Sequence, residues 1–467
     1  MLQALRNIWE IPDLRKRVLF TLGLLAVYRL GNHVPTPGIN AQALIDFFEQ
    51  NRGNWFGLVD MFSGGNLAKV TIFALGIMPY ISASIILQLL TVVWPYLEKL
   101  SKEGELGRRK ITQYTRYGTV LLSIVQSFGI AVYLERMTLA NQFHIVDSPG
   151  WGFKFMTVLT LTTGTAFIMW LGEQITERGI GNGMSLIIFA GIVVGLPRAV
   201  LDMFGMIERG DLSLLAAILL LVAMALVVAA IVFVERGQRR IPVQYAKRVV
   251  GRRVYGGQTT HLPLRVNTAG VIPVIFASSI ISFPNVVASW LAPKSTWMAS
   301  VYEQLRWGMP LYNLLYVSFI IFFCYFYTAI VFNPDDVAEN MRKYGGFIPG
   351  IRPGKRTSEY LDHILGRITF GGAIYLALVA ILPEFLITGF RVAPIPVIGP
   401  PLDTFLTNNN LGWITEGLHL NFYFGGTSLL IVVGVAMDTI AQVEAQLIMR
   451  HYDGFTGRGG KRIRGRR

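Results

Sequence analysis

The chain has 467 residues, of which 52% are hydrophobic and only 15% carry a charge, and its formal net charge is +14. Soluble domains carry about 25% charged residues, so this composition excludes an ordinary soluble protein and favours one integral membrane domain. The single cysteine, Cys324, excludes a disulfide framework and a thiolate metal site within the chain.

Ten apolar stretches follow one another along the chain. Each has about the twenty residues that a helix needs to cross a hydrocarbon core of roughly 30 Å. We therefore predict an all-α integral membrane protein with ten transmembrane helices. The stretches lie near residues 18–34, 71–95, 117–135, 153–172, 183–204, 212–234, 269–291, 310–332, 368–390 and 422–448.

Positive charge is distributed unevenly between the connectors of these spans. Thirty-two of the 42 Lys and Arg residues lie in the N-terminal segment, in the connectors after spans two, four, six and eight, and in the tail. Because basic connectors stay on the cytoplasmic side, this pattern predicts that both termini are cytoplasmic.

Two short matches indicate an internal duplication. Residues 76–86 in span two match residues 270–280 in span seven at six of eleven positions, and residues 183–188 in span five match residues 426–431 in span ten at four of six. Small residues and isoleucine are common in membrane helices, so either match alone would carry little weight. Two matches in corresponding spans favour duplication. Five spans per half is an odd number, which predicts inverted halves.

The predicted halves are an N-terminal half, residues 1–205, and a C-terminal half, residues 206–450, followed by a basic cytosolic tail, residues 451–467. The alignment brings four isoleucines, two from each half, to a similar depth near the bilayer midplane. There they would form an apolar constriction that seals by dewetting, although isoleucines of a lipid-facing or ordinary core surface would give the same pattern. These four are Ile81, Ile188, Ile275 and Ile431.

Two prolines lie close to these isoleucines, Pro79 before Ile81 and Pro273 before Ile275. Each removes a backbone donor, which predicts that both helices can flex and that the halves can part between spans two and seven. Spans two, six, seven and eight have no charged side chain in their cores, which argues against a binding site for a coupling ion or a small solute.

An apolar constriction would bind no part of a passing molecule tightly. It therefore suits a substrate whose chemistry varies along its length, such as a polypeptide. The alternatives are a secondary transporter of a small solute and an insertase or scaffold without a pore. The sequence has no Gly-Lys-Ser/Thr nucleotide-binding loop and no catalytic pair in the middle of a span. We therefore expect that the chain is not an enzyme and that it needs no cofactor.

A short segment on the outer side, about residues 60–70, precedes span two. Its Ser-Gly-Gly predicts a break followed by one or two helical turns. A re-entrant segment in this position would plug a pore, and a re-entrant loop without a sealing role fits the same residues. The plug residues are Phe62, Ser63, Gly64, Gly65, Asn66 and Leu67.

Two inner connectors, about residues 235–267 and 333–367, combine positive charge with alternating Val, Ile, Tyr and Phe. A solvated loop explains the charge, whereas the alternation predicts a projecting hairpin that meets an acidic partner. The Arg-rich tail is a weaker signal and fits a disordered, lipid-facing segment. The candidate docking residues are Arg239, Arg240, Lys247, Arg248, Arg252, Arg253, Arg352, Lys355 and Arg356.

Seven strings distributed over nearly the whole chain resemble the SecY family of bacterial protein translocase subunits. The longest are residues 72–85 and 170–183, with fourteen residues each. The seven strings are residues 62–65, 72–85, 107–117, 170–183, 233–240, 350–354 and 423–428.

The resemblance implies a protein-conducting channel of the general secretory pathway in the bacterial plasma (inner) membrane. It would translocate unfolded polypeptides and release transmembrane segments sideways into lipid. The implied partners are the membrane subunits SecE and SecG, the motor ATPase SecA, the ribosome, signal sequences, unfolded preproteins and anionic lipids.

The resemblance also assigns roles to residues. Arg352 would engage SecA, and the two inner connectors would dock the ribosome. The lateral gate would lie between spans two and three and spans seven and eight, with Ser82, Gln88 and Phe283. The implied pore ring consists of Ile77, Ile81, Met184, Ile188, Ile275 and Ile431.

Two features depart from the family pattern. Met184 stands where isoleucine is usual, which leaves the pore ring apolar but softer. The outer connector, residues 391–421, is longer than expected. A surface-lying or partner-contacting segment and an inert insertion fit it equally well.

Overall fold

The computed structural model describes most of the chain. Helices dominate this part, as a membrane protein requires when backbone groups must be satisfied without water. The described residues are 11–40, 43–44, 66–67, 69–141, 145–210, 213–245, 248–250, 253–255, 259–291, 295–305, 308–388 and 426–455.

Helices and strands follow in chain order, and some helices, such as α4 and α12, begin well before the predicted spans. The helices are α1 (Pro12–Gly31), α2 (Met78–Val93), α3 (Pro95–Lys102), α4 (Glu105–Asn141), α5 (Trp151–Arg178), α6 (Gly183–Glu208), α7 (Leu214–Arg236), α8 (Ile272–Leu291), α9 (Thr296–Gln304), α10 (Pro310–Val331), α11 (Pro334–Lys343), α12 (Lys355–Thr388) and α13 (Gly426–Phe455). The strands are β1 (Gln238–Tyr245), β2 (Arg248–Val250), β3 (Arg253–Tyr255), β4 (Thr259–Arg265) and β5 (Gly346–Phe347).

Each of the ten predicted spans overlaps one helix, but not every helix has the full length and apolarity of a membrane span. Within the described residues, six helices meet both criteria, and α2 with α3 makes a seventh if this pair, bent by 98°, is one span. The apolar parts of α6 and α8 are short, and Pro197 and Pro284 lie inside these helices. Helix α1 begins with a charged turn that includes Asp13 and Arg15.

The starts of spans two and seven differ from the prediction. Span two becomes helical only at Met78; Thr71 forms an isolated β-bridge with Pro35, and residues 72–77 form turns. Span seven likewise becomes helical at Ile272. Pro79 and Pro273 are therefore the second residues of their helices, where a missing N–H breaks no helical hydrogen bond. The expectation that these two prolines let their helices flex by removing a backbone donor was therefore wrong.

The helices of the two sequence halves repeat the same packing neighbours. In the first half α2 packs on α4, α4 on α5, and α5 on α6. In the second half α8 packs on α10, α10 on α12, and α12 on α13. The two sets meet where α2 contacts α8 and where α6 contacts α13.

The connector after α7 forms the predicted hairpin. Strand β1 pairs with β4 in antiparallel register, with Ile241 opposite Leu262, and its other edge pairs with β5. Ile241 and Val243 are buried while their neighbours face solvent, which is the period of two that the sequence predicted. The fold is thus mostly helical rather than all-α.

Candidate functional site

The six residues of the predicted pore ring belong to one apolar cluster at the junction of the two helix sets. Its isoleucines are at most 7% exposed, and Met184 packs against them while half-buried. The cluster also includes apolar side chains of α5, α10 and α12. Side chains that are far apart in sequence therefore converge at this junction.

The four helices that carry the ring present their isoleucines at matching positions. Ile81 and Ile275 are both the fourth residue of their helices, α2 and α8. Ile188 and Ile431 are both the sixth residue, in α6 and α13. All four lie within the first two turns of a helix, so the ring is built from helix starts.

Polar groups fix where α6 begins. The Asn182 side chain accepts hydrogen bonds from the backbone N–H groups of Met184 and Ser185, at 3.1 and 3.4 Å, which caps the helix. The N–H of Gly181 donates to the side chain of Gln442 at 3.0 Å, which ties this start to α13. Met184 then lies against Gly172 of α5, where an added methyl would be 2.4 Å from its sulfur.

Helices α2 and α8 form a seam between the two helix sets. Across this seam the Ser279 hydroxyl lies 3.9 Å from the Met78 sulfur, while its short hydrogen bond, at 2.8 Å, goes to the Ile275 carbonyl of its own helix. Of the predicted gate residues, Ser82 and Gln88 are half-buried on α2, and Gln88 donates to the Ser84 hydroxyl at 3.3 Å. Phe283 lies in α8, and its side chain is outside the described residues. Sequence reasoning missed Met78 and Ser279 because neither is unusual on an apolar helix.

The predicted plug is described only at its end. Phe62, Ser63, Gly64 and Gly65 lie outside the described residues. Asn66 is buried, and its amide donates to the Tyr28 hydroxyl of α1 at 3.5 Å. Leu67 belongs to a second apolar cluster, which includes side chains of α4 and α5.

The two inner connectors share one small core. Buried side chains from β1, β4 and α12 pack together with Ile348 and with half-buried residues of α11. The arginines Arg239, Arg240 and Arg352 remain exposed on the surface of this unit. Arg352 lies in a turn between Gly350 and Gly354, whose φ angles of 82° and 103° favour glycine.

The other docking candidates divide into two groups. Lys355 and Arg356 are exposed in the first turn of α12. The backbones of Arg248 and Arg253 lie in β2 and β3, while Lys247 and Arg252 are outside the described residues. The outer connector, residues 391–421, and residues 456–467 of the tail also lie outside them.

These features define a multi-pass membrane protein in which two matching sets of helices meet at a buried apolar cluster. The SecY family model matches residues 71–440. The protein translocase subunit SecY of Escherichia coli strain K12 is 51% identical over 445 residues, which cover 95% of this chain and 94% of that protein. The chain therefore belongs to the SecY family.

Two solved structures share the fold at low sequence identity. A structure described as a protein conducting channel has a TM-score of 0.60 at 16% identity and covers 92% of both chains. Sec61 in the canine ribosome–channel complex from the endoplasmic reticulum has a TM-score of 0.56 at 16% identity, again over 92% of both chains. The family assignment from sequence and the similarity to solved structures thus agree.

Proposed function

We propose that this chain is the protein-conducting channel of the general secretory pathway in a bacterial plasma (inner) membrane. It translocates unfolded polypeptides and releases apolar segments sideways into lipid. The observation that carries the proposal is the buried apolar cluster, which contains isoleucines from four helix starts at matching positions. A ring without polar groups excludes water when closed and offers a passing chain nothing to bind.

The proposed layout has ten spans in two inverted halves, residues 1–205 and 206–450, with both termini cytoplasmic. The matching packing neighbours of the two helix sets support it. The equal register of Ile81 and Ile275, and of Ile188 and Ile431, supports it independently. An inverted repeat brings equivalent residues of both halves to one depth.

The plug and the lateral gate complete the proposed channel. The plug, residues 60–70, closes the outer side of the ring. Its last turn is buried against α1 through the Asn66–Tyr28 contact, which supports a fixed closed position. The gate opens along the seam of α2 and α8, where Met78 and Ser279 make a weak contact that can separate.

The proposed partners of the connectors carry complementary charge. The exposed arginines of the β1–β4 hairpin and Arg352 dock SecA and the ribosome. Lys355 and Arg356 support this assignment, because both are exposed in the first turn of a helix, where a cation opposes the helix dipole. SecE and SecG bind the membrane-embedded surface, signal sequences bind at the seam, and the basic tail contacts anionic lipids.

Preprotein export by reconstituted vesicles tests the proposal. The chain is reconstituted with SecE and SecG, and SecA, ATP and a preprotein are added outside. We expect the preprotein to become protected from added protease only when ATP and this chain are both present. Vesicles that lack the chain are the matched control.

The same vesicles test the secondary-transporter alternative. A transporter takes up its small solute with saturation, whereas a channel has no saturable solute site. Saturable solute uptake without any protected preprotein would overturn the proposed function.

A further inference from the structure

The segment before α2 makes an unusually close contact with α5. A methyl group placed on Gly164 of α5 would lie 1.9 Å from the carbonyl oxygen of Ile72, a distance that no real contact allows. The obstacle is a backbone oxygen, which cannot rotate away as a flexible side chain can. Only glycine at position 164 lets the segment lie where it does.

The second half contains the same arrangement. A methyl group on Gly372 of α12 would lie 2.8 Å from the carbonyl oxygen of Val266, in the segment before α8. Helices α5 and α12 are the fourth predicted spans of their halves. The contact is therefore made by equivalent helices in both halves, and it is tighter in the first.

The two contacted residues are equivalent in register. Ile72 lies four residues before Gly76, and Val266 lies four residues before Gly270. These two glycines have φ angles of 54° and 61°, which turn the chain into the helices that follow.

The backbone N–H groups of Ile72 and Val266 also make equivalent hydrogen bonds. The N–H of Ile72 donates to the carbonyl of Val34, just after α1, and the N–H of Val266 donates to the carbonyl of Gly237, just after α7, both at 3.0 Å. Each segment is thus held on one side by the end of the first helix of its half. On the other side each segment lies directly against the glycine of the fourth helix.

We propose that Gly164 and Gly372 are positioning residues that set the aperture of the pore ring. Each allows a segment to lie directly against the fourth helix, and this placement fixes where the next helix starts. Helix α2 carries Ile81 and helix α8 carries Ile275, within one turn of these starts. A methyl at either position would displace the segment and misalign the ring. This inference rests on the proposed function.

The test uses alanine variants with matched controls on the same helices. Gly164→Ala and Gly372→Ala are compared with Gly152→Ala and Gly371→Ala, whose added methyl groups would meet nothing within 4 Å. The controls correct for the higher helix propensity of alanine. Ion conductance of reconstituted vesicles is measured per assembled channel. We expect a several-fold rise for Gly164→Ala, a smaller rise for Gly372→Ala and none for the controls.

A second measurement reports position without relying on conduction. Cysteines replace Met78 and Ser279 in a Cys324→Ala background, and a short bifunctional thiol reagent links them across the seam. We expect slower linking in the Gly164→Ala and Gly372→Ala backgrounds than in the control backgrounds. A residue that merely stabilised the protein would lower its amount without changing this rate.

The outcomes separate the inference from the proposed function. Unchanged conductance and unchanged linking in both variants, or equal changes in the controls, would overturn the positioning role. If Gly164→Ala fails to assemble, the milder Gly372→Ala decides by the same criteria. If the double variant Ile81→Gly and Ile275→Gly also leaves conductance unchanged, the proposed channel function is wrong. The linking rates then still decide whether Gly164 and Gly372 position the two helices.

Discussion

The proposed pore ring and the inner connectors differ in burial, in charge and in how they are assembled. The ring is buried, apolar and assembled from four helices that are distant in sequence. The connectors are basic and carry exposed arginines, and they are held together by the β1–β4 hairpin and by the pairing of β1 with the sequence-distant strand β5. In the proposed channel, the ring functions by binding no part of the passing chain, whereas the connectors function by presenting positive charge to a partner.

The difference also concerns how each region is held in place. The ring depends on where helices start, so a small displacement of one backbone segment changes its aperture. The connectors depend on a core of Ile241, Leu264, Ile348 and Leu361, which supports arginines that face outward. Changes in the connector core that spare the Gly237–Val266 hydrogen bond are therefore expected to leave the conductance of the ring unchanged.

The largest effect is expected when the ring is opened. Replacing both Ile81 and Ile275 with glycine removes two side chains from the constriction and lets water enter, so vesicles should leak ions strongly. Ile86→Gly is the matched control, because Ile86 lies on the same helix α2 and is 47% exposed. Equal conductance of the ring variant and the control would show that these isoleucines do not line the pathway.

Reversing the charge of Arg352 should give the next largest effect. Losing one partner of a close charge pair across an interface costs about 2–5 kcal/mol, and about 1.4 kcal/mol is a factor of ten. We therefore expect Arg352→Glu to weaken SecA docking at least about tenfold, with no new ion leak. ATP-driven export and stimulation of the SecA ATPase are the measurements.

Arg342→Glu is the control for that variant, because Arg342 is exposed in the same connector on α11. Parental export and ATPase activity in Arg352→Glu would mean that this arginine does not dock the motor. Equal impairment in Arg342→Glu would mean that the general charge of the connector matters rather than the turn at Gly350 and Gly354.

A smaller effect is expected from loosening the connector core. Ile241 is 3% exposed in β1, and truncating a buried isoleucine to alanine costs about 2–5 kcal/mol. Ile241→Ala should make the connectors easier to cleave with protease and weaken docking, while ion conductance stays at the parental level. Gln244→Ala, at an exposed position of the same strand, should change neither. A leak caused by Ile241→Ala would contradict the independence of the two regions.

The smallest effect concerns the one ring residue that is not isoleucine. Met184→Ile keeps the ring apolar and nearly conserves volume, and such swaps usually cost less than about 1.5 kcal/mol. We expect parental conductance and parental export. A leak as large as that of the double glycine variant would show that the ring requires the flexible methionine against Gly172.

Several properties of this protein follow from its sequence alone. Apolar stretches of membrane length predicted where helices lie, because backbone groups in lipid must bond within their own helix. Alternation of buried and exposed residues predicted the hairpin of β1 and β4, since a strand turns successive side chains to opposite faces. The two sequence matches predicted that Ile81 and Ile275 occupy equivalent places.

Other properties were decided only by the tertiary structure. The start of α2 at Met78, the contact of Met78 with Ser279 and the shared core of the two connectors depend on which elements meet. The role of Gly164 is the sharpest example, because glycine is common in membrane helices and nothing nearby in sequence distinguishes it. Periodicity and propensity are local, whereas the close approach of Gly164 to the Ile72 carbonyl exists only after two distant segments have packed together.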